Sequence, residues 1–145
     1  MLYAGTYWLF DFQLKDLDDL SPKFRAHAKS VDTNDPIPPV QVPRGYGGTA
    51  ILYKKNWDIK VDAYPDGCDR INVLALHTDP KICIINVYMP CRGNNSKDTY
   101  LNTLSQVEEI LYKFNNDHAV FICGDFNASL SRTPLTKGIS YSENL

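Results

Sequence analysis

Between residues 119 and 132 the chain reads AVFICGDFNASLSR, and one helix-length earlier, between residues 81 and 90, it reads KICIINVYMP. Each stretch starts as an apolar run rich in β-branched residues, the composition of a strand covered on both faces. Each then ends abruptly. Pro90 has no N–H to give a ladder and closes the first, and Gly124-Asp125-Phe126-Asn127 closes the second. The segment between them, Asp98 to Asn116, carries Leu101, Leu104, Val107, Ile110, Leu111 and Phe114 at the three-and-four spacing of an amphipathic helix, with Ser96 or Asp98 placed to cap it. A strand, a helix and a strand in this order imply a right-handed crossover between parallel strands. Tyr88 and Asp125 should then reach the same edge of one sheet.

Working outward from this unit, GGTAILYK and DIKVDAY are β-rich runs separated by Lys55-Asn56, which predicts a hairpin. RINVLALHT and KICIINVYM follow as two further strands with a turn at Asp79-Pro80. The second is apolar almost throughout and should be central. Residues 15 to 43 are polar and broken by Pro22, Pro36, Pro38, Pro39 and Pro43, which predicts a long surface loop, with a short helix near residues 22 to 29. AVFICG predicts a short buried strand, and the chain after Arg132 is weakly patterned. The fold class that results is α/β (α+β), a mixed sheet with helices packed outside it.

At 145 residues, 43% of them hydrophobic, the chain has the size and composition of one domain with a real core. Fifteen basic residues against 17 acidic ones leave a formal charge of -2, so no global field holds a polyanion and any nucleic-acid contact must come from a local patch. The 4 cysteines, Cys68, Cys83, Cys91 and Cys123, form no CxxC pair and read as reduced, structural thiols. No apolar run approaches the ~20 residues of a membrane span, and the first residues, MLYAGTYWLF, are not a basic leader followed by an apolar run. The expectation is a soluble intracellular protein, nuclear or cytoplasmic.

The chemistry sits at the two strand ends. A carboxylate and a carboxamide two residues apart at a strand end, Asp125 and Asn127, project to the same side, where the first suits a bound water and the second a phosphate oxygen. The alternative is an Asp-x-Asn turn that simply ends the strand through side-chain to backbone bonds. Tyr88 offers a hydroxyl to the same phosphate, against the alternative of a core tyrosine with its hydroxyl at the surface.

NVYMP, a helix and VFICGDFNASLSR, together with Arg44-Gly45-Tyr46-Gly47-Gly48 leading into TAILYKK and Asp69-Arg70-Ile71 opening the next strand, resemble the endonuclease/exonuclease/phosphatase superfamily. The likeness runs from about Trp8 to about Leu135, and VYMPC and the LSR after GDFN bring it nearest to the apurinic-type endonuclease domain of non-LTR retrotransposons. It implies a DNase I-like, partial four-layer sandwich of two mixed β-sheets flanked by helices, and Mg2+-dependent attack of water on a DNA phosphodiester. Asp125 would orient or deprotonate the water, Asn127 would bind the phosphate, Tyr88 would stand at the scissile phosphate and Asn86 would support it. Arg70 matches a basic strand-start position, with a structural salt bridge placed slightly ahead of a nucleic-acid contact.

Three features depart from that pattern. If Trp8 matches the family's tryptophan, Gly5 and Thr6 stand where its glutamine and metal-binding glutamate belong, and a neutral hydroxyl at Thr6 is a poor substitute for a carboxylate on Mg2+. Asp11 is a weak candidate to replace it. None of His27, His77 and His118 follows an aspartate near the C-terminus, where the family's Asp-His pair lies, and the family's first strand has no counterpart after Met1. The expectation is therefore a single, truncated domain with impaired hydrolysis, either a fragment derived from a transposon or a host protein that kept the scaffold for non-catalytic binding. A phosphatase-type ancestor acting on a phospholipid or inositol phosphate is the alternative chemistry. Incomplete sheets would also leave edges that favour self-association.

Overall fold

The structure, a computed structural model, describes residues 2–6, 9–41, 47–91 and 96–128. Trp8, Arg44 to Tyr46 and Leu130 to Arg132 lie outside them. Strands β1 (Leu2–Thr6), β2 (Phe24–Lys29) and β3 (Thr49–Lys54) form an antiparallel sheet of order β1-β3-β2. Strands β4 (Val61–Tyr64), β5 (Ile71–Leu76), β6 (Ile82–Tyr88) and β7 (Ala119–Asp125) form a second sheet of order β4-β5-β6-β7, antiparallel except for the parallel pairing of β6 with β7. Helix α1 (Leu14–Asp19) buries Leu17 with Leu9 and Ala50 on the outer face of the first sheet, and α2 (Ser96–Phe114) covers the outer face of the second. The result is the expected α+β sandwich in four layers. No helix among the described residues is long and apolar enough to cross a membrane.

Strand alternation sorts the side chains into layers. Ile71 and Val73 of β5 and Cys83, Ile85 and Val87 of β6 meet Val107, Ile110 and Phe114 of α2. Leu74, Leu76 and Ile84 turn the other way, onto Ile51 of β3 between the sheets. At the β3 start this inner layer becomes polar. The fully buried Asn72 and Asn86 stand opposite each other in the β5–β6 register. Asn72 Nδ2 donates to His27 O at 2.7 Å and to Thr49 O at 3.4 Å, and Asn86 Nδ2 donates to Ala50 O at 3.3 Å. These bonds tie one sheet to the other where hydrophobic packing gives way.

Several expectations need correction. No hairpin joins β3 to β4, because β1 and β2 already occupy both edges of β3. Residues 55–60 instead carry the chain to the second sheet, with Trp57 and Ile59 packed between the sheets. The surface loop over residues 15–43 contains most of α1 and all of β2, and the helix expected near residues 22 to 29 is β2 itself. Its sequence, FRAHAK, has little strand propensity, but pairing with β3 along its whole length overrides that. Strand β7 is not fully buried: it is an edge strand of its sheet among the described residues, with Phe121 57% exposed. Leu101 and Leu104 are exposed, and the buried stripe of α2 runs instead through Tyr100, Thr103, Val107, Ile110 and Phe114. The spacing was right, but the face is rotated by one residue at its N-terminal end. Helix α2 begins at Ser96, which leaves Asp98 in the first turn, where its charge favours the helix dipole.

Two outcomes test this packing. Gly124 has φ +125°, and a Cβ there would lie 2.0 Å from Val87 O, so Gly124→Ala should lower stability by at least about 1–3 kcal/mol, read from the urea midpoint. Asp32 accepts the N–H groups of Asp11 and Ile37, each at 2.7 Å. Burial pushes its carboxyl up, but these N–H groups and the Ser30 hydroxyl outweigh burial and hold it below its ordinary range. A depressed carboxylate stabilises the fold above its unfolded value, about 4, and that contribution is lost as pH falls through the folded value. Thermal melts should therefore weaken below about pH 4, and Asp32→Asn should remove that part of the decline.

Candidate active site

One end of the sandwich collects the polar strand termini. Ile71 pairs with Val87, and Tyr88 N donates to Arg70 O at 2.8 Å, which places Arg70 beside Tyr88. Tyr88 in turn pairs with Asp125 across the parallel β6–β7 ladder. Alternation along each strand puts Arg70, Tyr88 and Asp125 on the inner face, one rung beyond Asn72 and Asn86. The same end receives Thr6 of β1, whose backbone pairs with Thr49 at the start of β3. Sequence order alone brought Tyr88 and Asp125 to this rim; the β5 register adds Arg70.

Asn127 is locked beyond the strand end. Its N–H donates to Asp125 Oδ1 at 2.9 Å, its Nδ2 donates to Met89 O at 2.7 Å, and Met89 N donates to Asp125 O at 2.8 Å. The strand-ending Asp-x-Asn turn is thus present, and it also latches β7 onto β6. Asn127 has φ 45°, the left-handed region that asparagine tolerates better than most residues. Asp125 is exposed and keeps its other carboxylate oxygen outside this turn.

The Arg70 guanidinium lies over the Tyr88 ring, 5.2 Å from its centroid, with Nη1 at 3.5 Å from Tyr88 O. Burial raises the Tyr88 pKa, Cys91 and Asp125 raise it further, and Arg70 opposes them. At neutral pH the phenol is therefore a neutral hydroxyl, able to donate to a phosphate oxygen. Asn86 is fully buried below the rim and engages β3. Sequence reasoning missed Cys91, which lies against the Tyr88 phenol, and Asn72, whose signal was a single amide inside an otherwise apolar strand.

Asp11, itself exposed, opens the 3-10 turn before α1, and its N–H donates to Asp32 just past the end of β2. His77 Nε2 pairs with Asp62 at 2.6 Å and His118 Nδ1 with Asp117 at 2.7 Å. His118 immediately precedes β7, and the length of that strand, about 20 Å, separates it from Asp125. Mg2+ is held by carboxylates, further oxygens and waters in octahedral geometry. The described rim offers Asp125 with one oxygen already engaged, and no cluster of three acidic, histidine or cysteine residues suited to a metal occurs among the described residues. This donor set does not by itself fit a protein-held Mg2+.

No family model matches the sequence, and no curated protein shows significant similarity to it. Solved structures do share its fold. They include the endonuclease domain of TRAS1, a telomere-specific non-LTR retrotransposon, at 15% identity and TM-score 0.50 over 90% of this chain and 63% of that one. ANGEL2, a 2',3'-cyclic phosphatase, is similar at 18% identity and TM-score 0.53 over 90% and 40%. An endonuclease/exonuclease/phosphatase family protein from Bacteroides thetaiotaomicron is similar at 15% identity and TM-score 0.51 over 87% and 49%. The chain thus has the DNase I-like fold of endonuclease/exonuclease/phosphatase proteins, a fold with both nuclease and phosphatase members. It spans 40 to 63% of the length of these three structures.

The latch at Asn127 yields a third expected outcome. Asn127→Ala loses the bond to Met89 O and places a Cβ residue in the left-handed region, whereas Asn127→Gly loses only the bond. Chemical denaturation should show the alanine variant less stable than the glycine variant by about 1 kcal/mol.

Proposed function

We propose that the chain engages a DNA phosphodiester at the Arg70–Tyr88–Asp125 rim and hydrolyses it slowly at most. The observation that carries this reading is the register of Tyr88 opposite Asp125 on one inner face, with Asn127 fastened immediately beyond. A neutral phenol and a carboxamide can donate to the non-bridging phosphate oxygens while a carboxylate accepts a proton from water. In that step the water oxygen bonds to phosphorus, the water proton passes to Asp125, and one P–O ester bond breaks with its electron pair going to the leaving oxygen, which takes a proton from solvent. Metal chemistry of the family's kind would stabilise the charge that builds on phosphorus and on the leaving oxygen, but the described residues at the rim do not by themselves fit such an ion, and Thr6 supplies no carboxylate at the position matched to a ligand. Losing one preorganised electrostatic partner costs about 100- to 1,000-fold in rate.

Supercoiled-plasmid nicking with Mg2+ tests the proposal on the unmodified chain, Thr6→Glu and Asp125→Ala. The unmodified chain should nick at or just above background, Thr6→Glu should gain at least about tenfold, and Asp125→Ala should show none. Robust nicking by the unmodified chain, lost in Asp125→Ala, would overturn the claim of impairment. Residual nicking that survives Asp125→Ala would overturn the assignment of the site.

A further inference from the structure

The same end of the sandwich holds a second polar feature that the rim chemistry does not use. Where β2 runs past the loop between β4 and β5, a cavity of about 480 Å³ opens, lined by Lys29, Thr33 and Val31 on one side and by Pro65, Cys68 and Asp69 on the other. Lys29 pairs with Thr49 in the β2–β3 register, so it lies at the rim end of its sheet. Asp69 immediately precedes Arg70, and its carbonyl accepts Gly48 N at 3.1 Å. Neighbouring strands are about 4.8 Å apart, so the start of β5 lies roughly 10 Å from Asp125, with Tyr88 between them.

We propose that this cavity is a nucleobase subsite, seating a base next to the phosphodiester held at the rim; the inference rests on the rim being a DNA phosphate site. The chemistry of the lining selects a base over a second phosphate. Lys29 Nζ already donates to Pro65 O at 3.0 Å and to Asp66 O, and the Asp69 carboxylate shares the cavity. A phosphate would meet that carboxylate as a like charge, whereas a base edge offers a donor to Asp69 and an acceptor to the ammonium of Lys29. Burial lowers the Lys29 pKa, with the Asp66 and Asp69 carboxylates opposing, and burial likewise lowers that of His27, which adds no cation at neutral pH. Val31, Pro65 and Cys68 give the flat faces of a base apolar contact. The wall is also closely fitted: a Cβ on Gly47 would lie 2.7 Å from Asp69 Oδ2 and 2.9 Å from Val31 Cγ1.

Two variants probe the subsite, Asp69→Asn and Gly47→Ala, the second displacing the Asp69 carboxylate while keeping every charge. Fluorescence anisotropy compares a short single-stranded oligodeoxynucleotide with the same backbone made of abasic residues, each against the unmodified chain, both variants and Asp125→Ala. Both pocket variants should weaken the intact oligonucleotide by about tenfold and leave the abasic one within about twofold. Equal weakening of both ligands would show that the cavity contacts backbone, and no effect on either would show that it contacts nothing; each result overturns the subsite. Deoxyadenosine alone, followed by saturation-transfer NMR, separates the two readings. If no oligonucleotide binds, the rim reading fails; deoxyadenosine signals lost in both pocket variants would then sustain the cavity on its own, and their absence in the unmodified chain would end it. Circular dichroism melts of each variant exclude unfolding as the cause.

Discussion

The parallel pairing of β6 with β7 is the constraint on which the rest of the structure depends. Parallel neighbours joined through α2 must finish at the same end of the sheet, and the register then sets Tyr88 directly against Asp125. The pairing also fixes what lies below. Val87 stands opposite Gly124, where the backbones approach so closely that a Cβ would meet Val87 O at 2.0 Å. A glycine is required there for steric reasons whatever the activity of the chain. The fold thus holds the polar residues at the rim through backbone geometry, and the first residues beyond the strand, through Asn127, are latched back to Met89.

The second constraint acts between the sheets. An apolar layer built from Ile51, Leu74 and Ile84 adheres without direction, so it cannot set how one sheet is rotated or shifted on the other. Asn72 and Asn86 supply that direction by donating to three carbonyls of β2 and β3 at the point where the layer turns polar. Leaving such buried carbonyls short of a donor carries the full desolvation cost, so these bonds are more exacting than their net contribution suggests. Their position one rung below Arg70, Tyr88 and Asp125 means that the same amides also hold up the floor of the candidate site.

Arg70 illustrates how a residue's role depends on its neighbours. Its guanidinium stacks on the Tyr88 ring, which brings a cation close to a phenol whose pKa is raised by burial. A cation over an aromatic face contributes about 0.5–1 kcal/mol at an exposed site and more as water is excluded. On the reading proposed for the rim, the same guanidinium adds positive charge where a phosphate would lie, in a protein whose formal charge of -2 provides no general attraction.

Much of this was legible in the sequence because it depends on local order. KICIINVYMP and AVFICGDFN announced strands with polar ends, the apolar spacing between them announced a helix, and chirality allowed one arrangement, so the pairing of Tyr88 with Asp125 and the position of Asn127 follow from residues close together in the chain. The failures share one cause, which is that each depended on a partner far away in sequence. FRAHAK is a strand because β3 offers an edge, the expected hairpin is absent because β1 and β2 fill both edges of β3, and Asn72 matters because His27 and Thr49 present carbonyls to it. The sequence by itself determined β6, α2 and β7 and the polar residues that end the two strands. Tertiary structure alone decided which edges were free to pair, which face of α2 was buried, and that Lys29 and Asp69, 40 residues apart, line one cavity, because those outcomes are set by competition for hydrogen-bonding edges and buried surface across the whole chain.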